Sequence, residues 1–311
     1  MNCKYVGSRG LLLLADRKSQ VAVPDFDGLN PTLYDNLQPN EVLHICPQAL
    51  NNFVTKVLPN IKTPFILLTN NSDYTIPDDV QKQYEILINH PLLTHWFSQN
   101  CIVSHPKLTR IPIGLDYHTL IPRYKKSFSW ADPIPIVEDH PCGWGLRKPP
   151  IDQEKDLVNF KNLSKPFWER ECKAYANFQF LMTTRYGKVD RTDAYNTVLR
   201  ELVFYEPLRC IRDICWKNMT KYAFVLSPQG NGLDCHRTWE ALCLGCIPII
   251  KTSGIDQLFE ELPVWIVNSW SEVTEENMKS KINEFRERTF RIERLELSYW
   301  RDRIYSAKTA S

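Results

Sequence analysis

Short apolar runs recur along this chain, each closed by a cluster of Gly, Pro, Asn, Asp or Ser. Residues 41–45, 64–68, 222–226 and 247–250 are of this kind and read as buried strands. Stretches of helical composition follow them, at 49–57, 80–89, 192–202 and 236–244. Strand and helix in alternation predict an α/β architecture built on parallel sheets. The run at 10–15 (GLLLLA) is far too short for a membrane span and reads as a first strand. Residues 20–23 read as a second, or as the other arm of a hairpin. Short strands are expected at 101–103 and from 108, the latter leading into a Gly-containing loop with Asp116, Tyr117 and His118. Residues 178–183 read as the first strand of a second unit, with 185–191 as its loop. A helix at 255–261 and a strand at 264–267 complete that unit. From 274 to 305 the chain is strongly charged, with Met278, Ile282 and Phe285, then Leu297, Trp300 and Ile304, at helical spacing.

A change of composition divides the chain. Residues 127–155 carry Pro133, Pro135 and Pro141 among Trp130, Glu138, Asp139, His140 and Trp144, as a stiff linker or irregular loop would. The division predicted is 1–125, 126–164 as linker, 165–273, and 274–311 as a C-terminal helical segment. A chain of 311 residues suits two domains of ordinary size.

The densest stretch is KYAFVLSPQGNGLDCHRTWEALCLGCIPIIK, from Lys221 to Lys251. It reads as strand, glycine loop, helix, tight turn, strand. Pro228, Gly230 and Asn231 break the first strand, Asp234 reads as the helix N-cap, and Gly245 ends the helix. A glycine loop at the carboxyl end of a strand is where nucleotides bind in open α/β sheets. Backbone amides and the helix N-terminus there favour phosphate. Arg237, in the first turn, can place a guanidinium fork on a diphosphate, and Glu240 can grip ribose hydroxyls. Neither the G-x-G-x-x-G dinucleotide fingerprint nor a P-loop Gly-Lys-Ser/Thr is present. The plainer reading is an i,i+3 surface pair on a core helix.

The pattern S-P-x-G-x-G-x-D-x-x-R-x-W-E-A-L-x-x-G-x-I-P-I-I at 227–250 resembles the donor signature of exostosin-like glycosyltransferases. The motif covers about a tenth of the chain. The resemblance implies the GT-B fold: two Rossmann-like domains facing each other across a cleft, with a C-terminal helix packing back on the first. It implies an inverting transferase that moves sugar from a UDP-sugar to a glycan or glycoprotein hydroxyl. The donor would bind at Ser227, Gly230, Asn231, Gly232, His236, Arg237 and Glu240, with Arg185 or Arg191 as a second cation. Residues 1–125 would form the acceptor side. Some transferases of large DNA viruses of algae, which carry no anchor, look like exostosins and add xylose. That likeness makes UDP-xylose the expected donor.

The general base is expected on the acceptor side, at Asp73, Asp116 or His118, with Asp73 first. Cationic side chains would meet the leaving diphosphate, so no metal or other cofactor is expected. Asp25-Phe26-Asp27 is a D-x-D, the metal–nucleotide motif of the other large glycosyltransferase fold, and otherwise a turn with an Asx cap. A protein that binds nucleotide sugars without turnover, or an epimerase of the same fold, remains the alternative.

Composition narrows the rest. Hydrophobic residues make up 43% and charged ones 24%, an ordinary globular balance. A net charge of +2 gives no argument for nucleic acid. The ten cysteines read as reduced, scattered thiols in a cytoplasmic protein, since no secretory leader is evident. A zinc site from Cys210, Cys215, Cys243 and Cys246 is the alternative. The sequons at Asn70, Asn162 and Asn218 would then be unused.

Overall fold

A computed structural model describes residues 3–18, 29–121, 143–180, 182–207 and 210–309. Asp25 and Asp27, the expected strand at 20–23 and most of the expected linker lie outside them.

Nine strands form two parallel sheets among the described residues. The first holds β1 (Glu41–Ile45), β2 (Phe65–Thr69), β3 (Leu93–Ser98) and β4 (Leu108–Arg110) in that order. The second runs β6 (Val203–Tyr205), β5 (Glu171–Ala176), β7 (Tyr222–Leu226), β8 (Ile247–Lys251) and β9 (Trp265–Val267). Every residue of β2 and of β7 is buried. That is why both read as unbroken apolar runs: helices cover a parallel sheet on both faces.

The helices are α1 (Ser8–Leu13), a short α2 (Leu50–Asn52), α3 (Gln81–Ile88), α4 (Pro150–Leu163) and α5 (Arg185–Thr197). They continue as α6 (Arg212–Met219), α7 (His236–Cys243), α8 (Glu275–Glu287) and α9 (Leu297–Thr309). α2 widens into π-type turns over Phe53–Val57, so the helix expected at 49–57 is present but irregular.

Loops after β2, β3 and β4 meet the loop after β7. Asn100 Oδ1 accepts the Asp234 amide at 3.0 Å, and the Ile113 amide donates to Asp234 Oδ2 at 2.7 Å. The carboxyl edges of the two sheets therefore face one another. One apolar cluster runs from Leu11, Val42 and Phe97 through Ile113 to Trp239 on α7 and Trp300 on α9. α9 returns to the first domain, where Lys308 Nζ lies 2.7 Å from Asp16. Two Rossmann-like domains with facing carboxyl edges and a returning C-terminal helix constitute the GT-B arrangement.

Four expectations about elements are corrected. Residues 10–13 belong to helix α1 and 14–15 follow its end, so no strand forms there: the Leu11 amide donates to Gly7 O at 3.0 Å. A short apolar run carries no period that separates the two. The strand expected at 101–103 lies earlier, as β3; Cys101 makes only an isolated bridge to Ile76. The second domain's first strand is β5, not 178–183, so Arg185 and Arg191 stand on α5 rather than on a loop. β5 was hidden because its first half is polar and largely open to solvent. Finally, 150–163 within the expected linker is helix α4, opened by Pro149 and Pro150 at its N-terminus. Its Glu154 is buried and accepts the Lys4 and Tyr5 amides at 2.7 and 2.9 Å.

Candidate functional site

The site begins where β7 ends. Ser227 is buried, its hydroxyl 2.8 Å from Thr238 Oγ1, which ties the loop to the first turn of α7. Both glycines are places of close approach. A Cβ on Gly230 would meet Arg191 Nη2 at 3.2 Å, and one on Gly232 would meet Asn100 Nδ2 at 2.8 Å. Not every loop amide is open to phosphate, as the sequence suggested. The Gly230 amide donates to Gly232 O at 3.1 Å, and that of Asp234 is taken by Asn100. Asn231 is tied to α5, its Oδ1 accepting from Thr184 Oγ1 and its carbonyl from Arg185 Nε, each at 2.6 Å.

The N-cap of α7 is Cys235, with no side-chain cap, rather than Asp234. Asp234 instead accepts from the Ile113 amide across the seam and from Trp239 Nε1 at 2.8 Å. Burial pushes its carboxyl up to about 6, against those two hydrogen bonds. The first turn of α7 is thus left without a side-chain acceptor, as suits an anion site.

Two arginines converge there. Arg237 sits 5.4 Å from the Phe178 ring and gives only a long 3.4 Å bond to Pro228 O. Arg191, on α5, lies 6.0 Å from the same ring and donates to Gln229 O at 2.9 Å and Gln179 O at 3.0 Å. Neither has a carboxylate partner among the described residues; both lean on carbonyls. Burial first, then the charge of Arg191, lowers the Arg237 pKa to about 10. Burial likewise lowers that of Arg191. Like charges held together at a desolvation cost make a receptor for a polyanion.

Arg185 does not join them. Its fork is spent on Asp79, at 2.6 and 3.1 Å, and its Nη2 donates to Asp73 O at 3.2 Å. It is a brace between domains, held at a left-handed φ of 49°. Glu240 is half-buried, one turn beyond Arg237. Burial raises its carboxyl, with Arg212 the main opposing charge.

On the facing domain, Asp73 is exposed beside Gly232. Asp116 and His118 lie on the loop after β4, and Asp116 is buried. Its Oδ2 lies 3.1 Å from Arg212 Nη2, and its Oδ1 accepts the Thr119 amide at 2.9 Å. Burial opposes ionisation of Asp116, but His118, Arg212, His236 and the Thr119 amide outweigh it and hold the carboxyl far below its usual range. His118 Nδ1 is 3.0 Å from Asp116 Oδ1, off the line of a hydrogen bond. Burial lowers the imidazole to about 4, only partly offset by Asp116.

His236, the first residue of α7, has its ring centre 5.4 Å from that of His118 and its Nδ1 2.6 Å from Gly114 O. The polar atoms of Asp116, His118 and His236 lie within 4.8 Å of one another. A cation could use that spacing, but both carboxylate oxygens are already engaged, one of them by the buried Arg212. Asp116 and His118 stand side by side without a hydrogen bond between them. The four cysteines considered for zinc are not assembled: Cys210 and Cys215 adjoin at 3.1 Å, whereas Cys246 is buried against Arg170 and Met219.

Sequence reading missed Arg212 and Phe178. Arg212 is 96 residues from Asp116, and nothing local marks it. No family model matches the chain, and no curated protein does. A structure of trehalose-6-phosphate from E. coli bound with UDP-2-fluoro glucose resembles it with a TM-score of 0.42 and 10% identity. That match covers 89% of this chain and 76% of the other. No helix among the described residues is long and apolar enough to cross a membrane.

Proposed function

We propose that this chain is an inverting, metal-independent glycosyltransferase of exostosin-like type, taking a UDP-sugar and a glycan or glycoprotein hydroxyl. The observation that carries the reading is the Arg191–Arg237 pair over Phe178, at the uncapped start of α7, with carbonyls for partners. A departing diphosphate is the kind of anion such a cradle receives. Glu240 lies one turn on, placed to take the ribose hydroxyls. Xylose is the donor sugar we carry forward, on the likeness to the algal-virus transferases.

In this reading His118 is the base. It is neutral at pH 7, and ionised Asp116 is 3.0 Å away to meet the charge that forms on it. The acceptor hydroxyl gives its proton to the imidazole, its oxygen bonds to the anomeric carbon, and the bond from that carbon to the diphosphate breaks. The electrons leave on the diphosphate, met by Arg191, Arg237 and the start of α7. Asp73 is the second candidate, because it stands beside the donor loop at Gly232.

Turnover of UDP-xylose and other UDP-sugars, with glycan acceptors and in excess EDTA, tests the whole. The product anomer is read by NMR. Removal of the base reduces turnover by about 10²–10⁴-fold. His118→Ala is expected to do so with UDP affinity kept, and Asp73→Asn is not. The opposite result moves the base to Asp73. UDP-sugar binding without transfer to any acceptor would favour a binding protein, and a new sugar without acceptor an epimerase. Activity lost in EDTA and restored by Mn²⁺ would return attention to Asp25 and Asp27.

A further inference from the structure

We infer that Arg212 is a positioning residue for transfer: it fixes Asp116, and through Asp116 the His118 imidazole. The inference rests on the reading of His118 as the base.

Arg212 opens α6, in the second domain, yet its guanidinium crosses to the first. Nη1 donates to the Asp116 carbonyl at 2.6 Å and to Gln153 Oε1 at 2.8 Å, while Nη2 lies 3.1 Å from Asp116 Oδ2. One fork thus grips the main chain and the side chain of a single residue. That double hold sets both the place and the rotation of the carboxylate. Oδ1 is thereby left toward the Thr119 amide at 2.9 Å and His118 Nδ1 at 3.0 Å. The guanidinium is itself fixed, with the Trp216 ring at 5.5 Å and the Trp144 ring at 6.0 Å, and its side chain is 3% exposed. Its Nε, buried, has no hydrogen-bond partner among the described residues. A surface pair worth little would not be built this way. The charged and titratable groups around His118 are Asp116, His236, Arg9 and Arg212.

The geometry also couples transfer to the closed seam. Asp116 and Arg212 come from opposite domains, so the carboxylate beside His118 is held in this way only when the two meet. A base displaced by about 1 Å can lose some 10²-fold in rate.

The test compares Arg212→Lys and Arg212→Met with His118→Ala, singly and combined, measuring kcat, KM and UDP affinity. Arg212→Met is expected to lower kcat by about 10–100-fold, with KM for the UDP-sugar and UDP affinity within about twofold. Arg212→Lys, which keeps the charge but loses the fork, is expected to recover part of the loss. In the His118→Ala background, Arg212→Lys should cost nothing further, because the two act in one unit. A purely structural role would instead add its loss in that background. If Arg212→Met does not fold, Arg212→Lys and its combination with His118→Ala carry the test. Normal kcat in the Arg212 variants, or a rise in KM alone, with His118→Ala inactive, overturns this inference and leaves the base assignment standing. Normal turnover in His118→Ala removes the base assignment itself.

Discussion

The two sides of the cleft use arginine in opposite ways. Around the start of α7, Arg191 and Arg237 stand near one another over Phe178, with carbonyls but no carboxylate as partners among the described residues. At the seam, Arg185 and Arg212 are each locked to a carboxylate of the other domain, Asp79 and Asp116. The first pair costs stability to assemble and is ready for an anion. The second pair is already satisfied and holds the domains together. Four arginines near one cleft therefore stand in two separate settings, and charge alone does not distinguish them. What distinguishes them is whether a carboxylate among the described residues meets the guanidinium.

The sharpest way to break that division is to remove the unpaired cations. Each loss of a charge-assisted contact is expected to weaken UDP binding by roughly 1.5–3 kcal/mol. Calorimetry on Arg191→Ala, Arg237→Ala and their combination should find affinity falling in each, most in the double variant, while melting temperature does not fall. A double variant that binds UDP normally would end the donor-site assignment.

Acid should act through buried imidazoles and leave the arginine pair charged. His118 and the buried His44, 2.8 Å from Asn70, are each lowered to about 4, chiefly by burial. The unfolded chain takes up those protons first, as pH drops below the ordinary value of about 6.5. The two imidazoles should then cost stability between about pH 6.5 and 4, on the order of 2–3 kcal/mol for buried His44 and less for half-buried His118, while Asp234, its carboxyl pushed up to about 6, returns part of that between about pH 6 and 3.9. Asp116 works lower down: its depressed carboxyl supports the fold above the ordinary carboxylate value of about 3.9 and loses that support only below it. Urea titrations across this range check the slope, and His44→Gln should flatten part of it. A profile in His44→Gln identical to that of the unaltered chain would mean this imidazole is not held neutral.

The smallest effect expected is at the outer brace. Asp79 and Arg185 are each partly exposed, so Asp79→Ala should cost only about 0.5–1 kcal/mol of stability. UDP affinity should stay unchanged. If it fell as far as in Arg237→Ala, Arg185 would belong with the donor cations after all.

The unit from β7 to β8 was legible because each signal there is local. The apolar run, Pro228 and Gly230, and Gly245 at a φ of 73° all state their structure within a few positions. The returning α9 was legible for the same reason, with Leu297 and Trp300 buried at helical spacing as expected. What could not be read was pairing across the seam. Asp234 has an N-cap's composition and position, but its carboxylate is claimed by Ile113 and Trp239. Arg185 looked like a free cation until Asp79 met it. Asn70 reads as a sequon; it is wholly buried, with His44 and Ser8 O as partners. In each case the deciding neighbour is distant in sequence, and no periodicity records it.

The return of α9 bears on the order in which the protein can be made. The Val6 amide donates to Leu295 O, the Leu297 amide donates to Lys4 O, and Asn40 Nδ2 donates to Lys308 O. Leu297 also packs where Gly10 leaves room for it. A ribosome delivers the first sheet long before residues 295–308, so the Val6 amide must wait for Leu295 while the whole second domain is synthesised and folds. The domain made earlier of the two is the last to be finished.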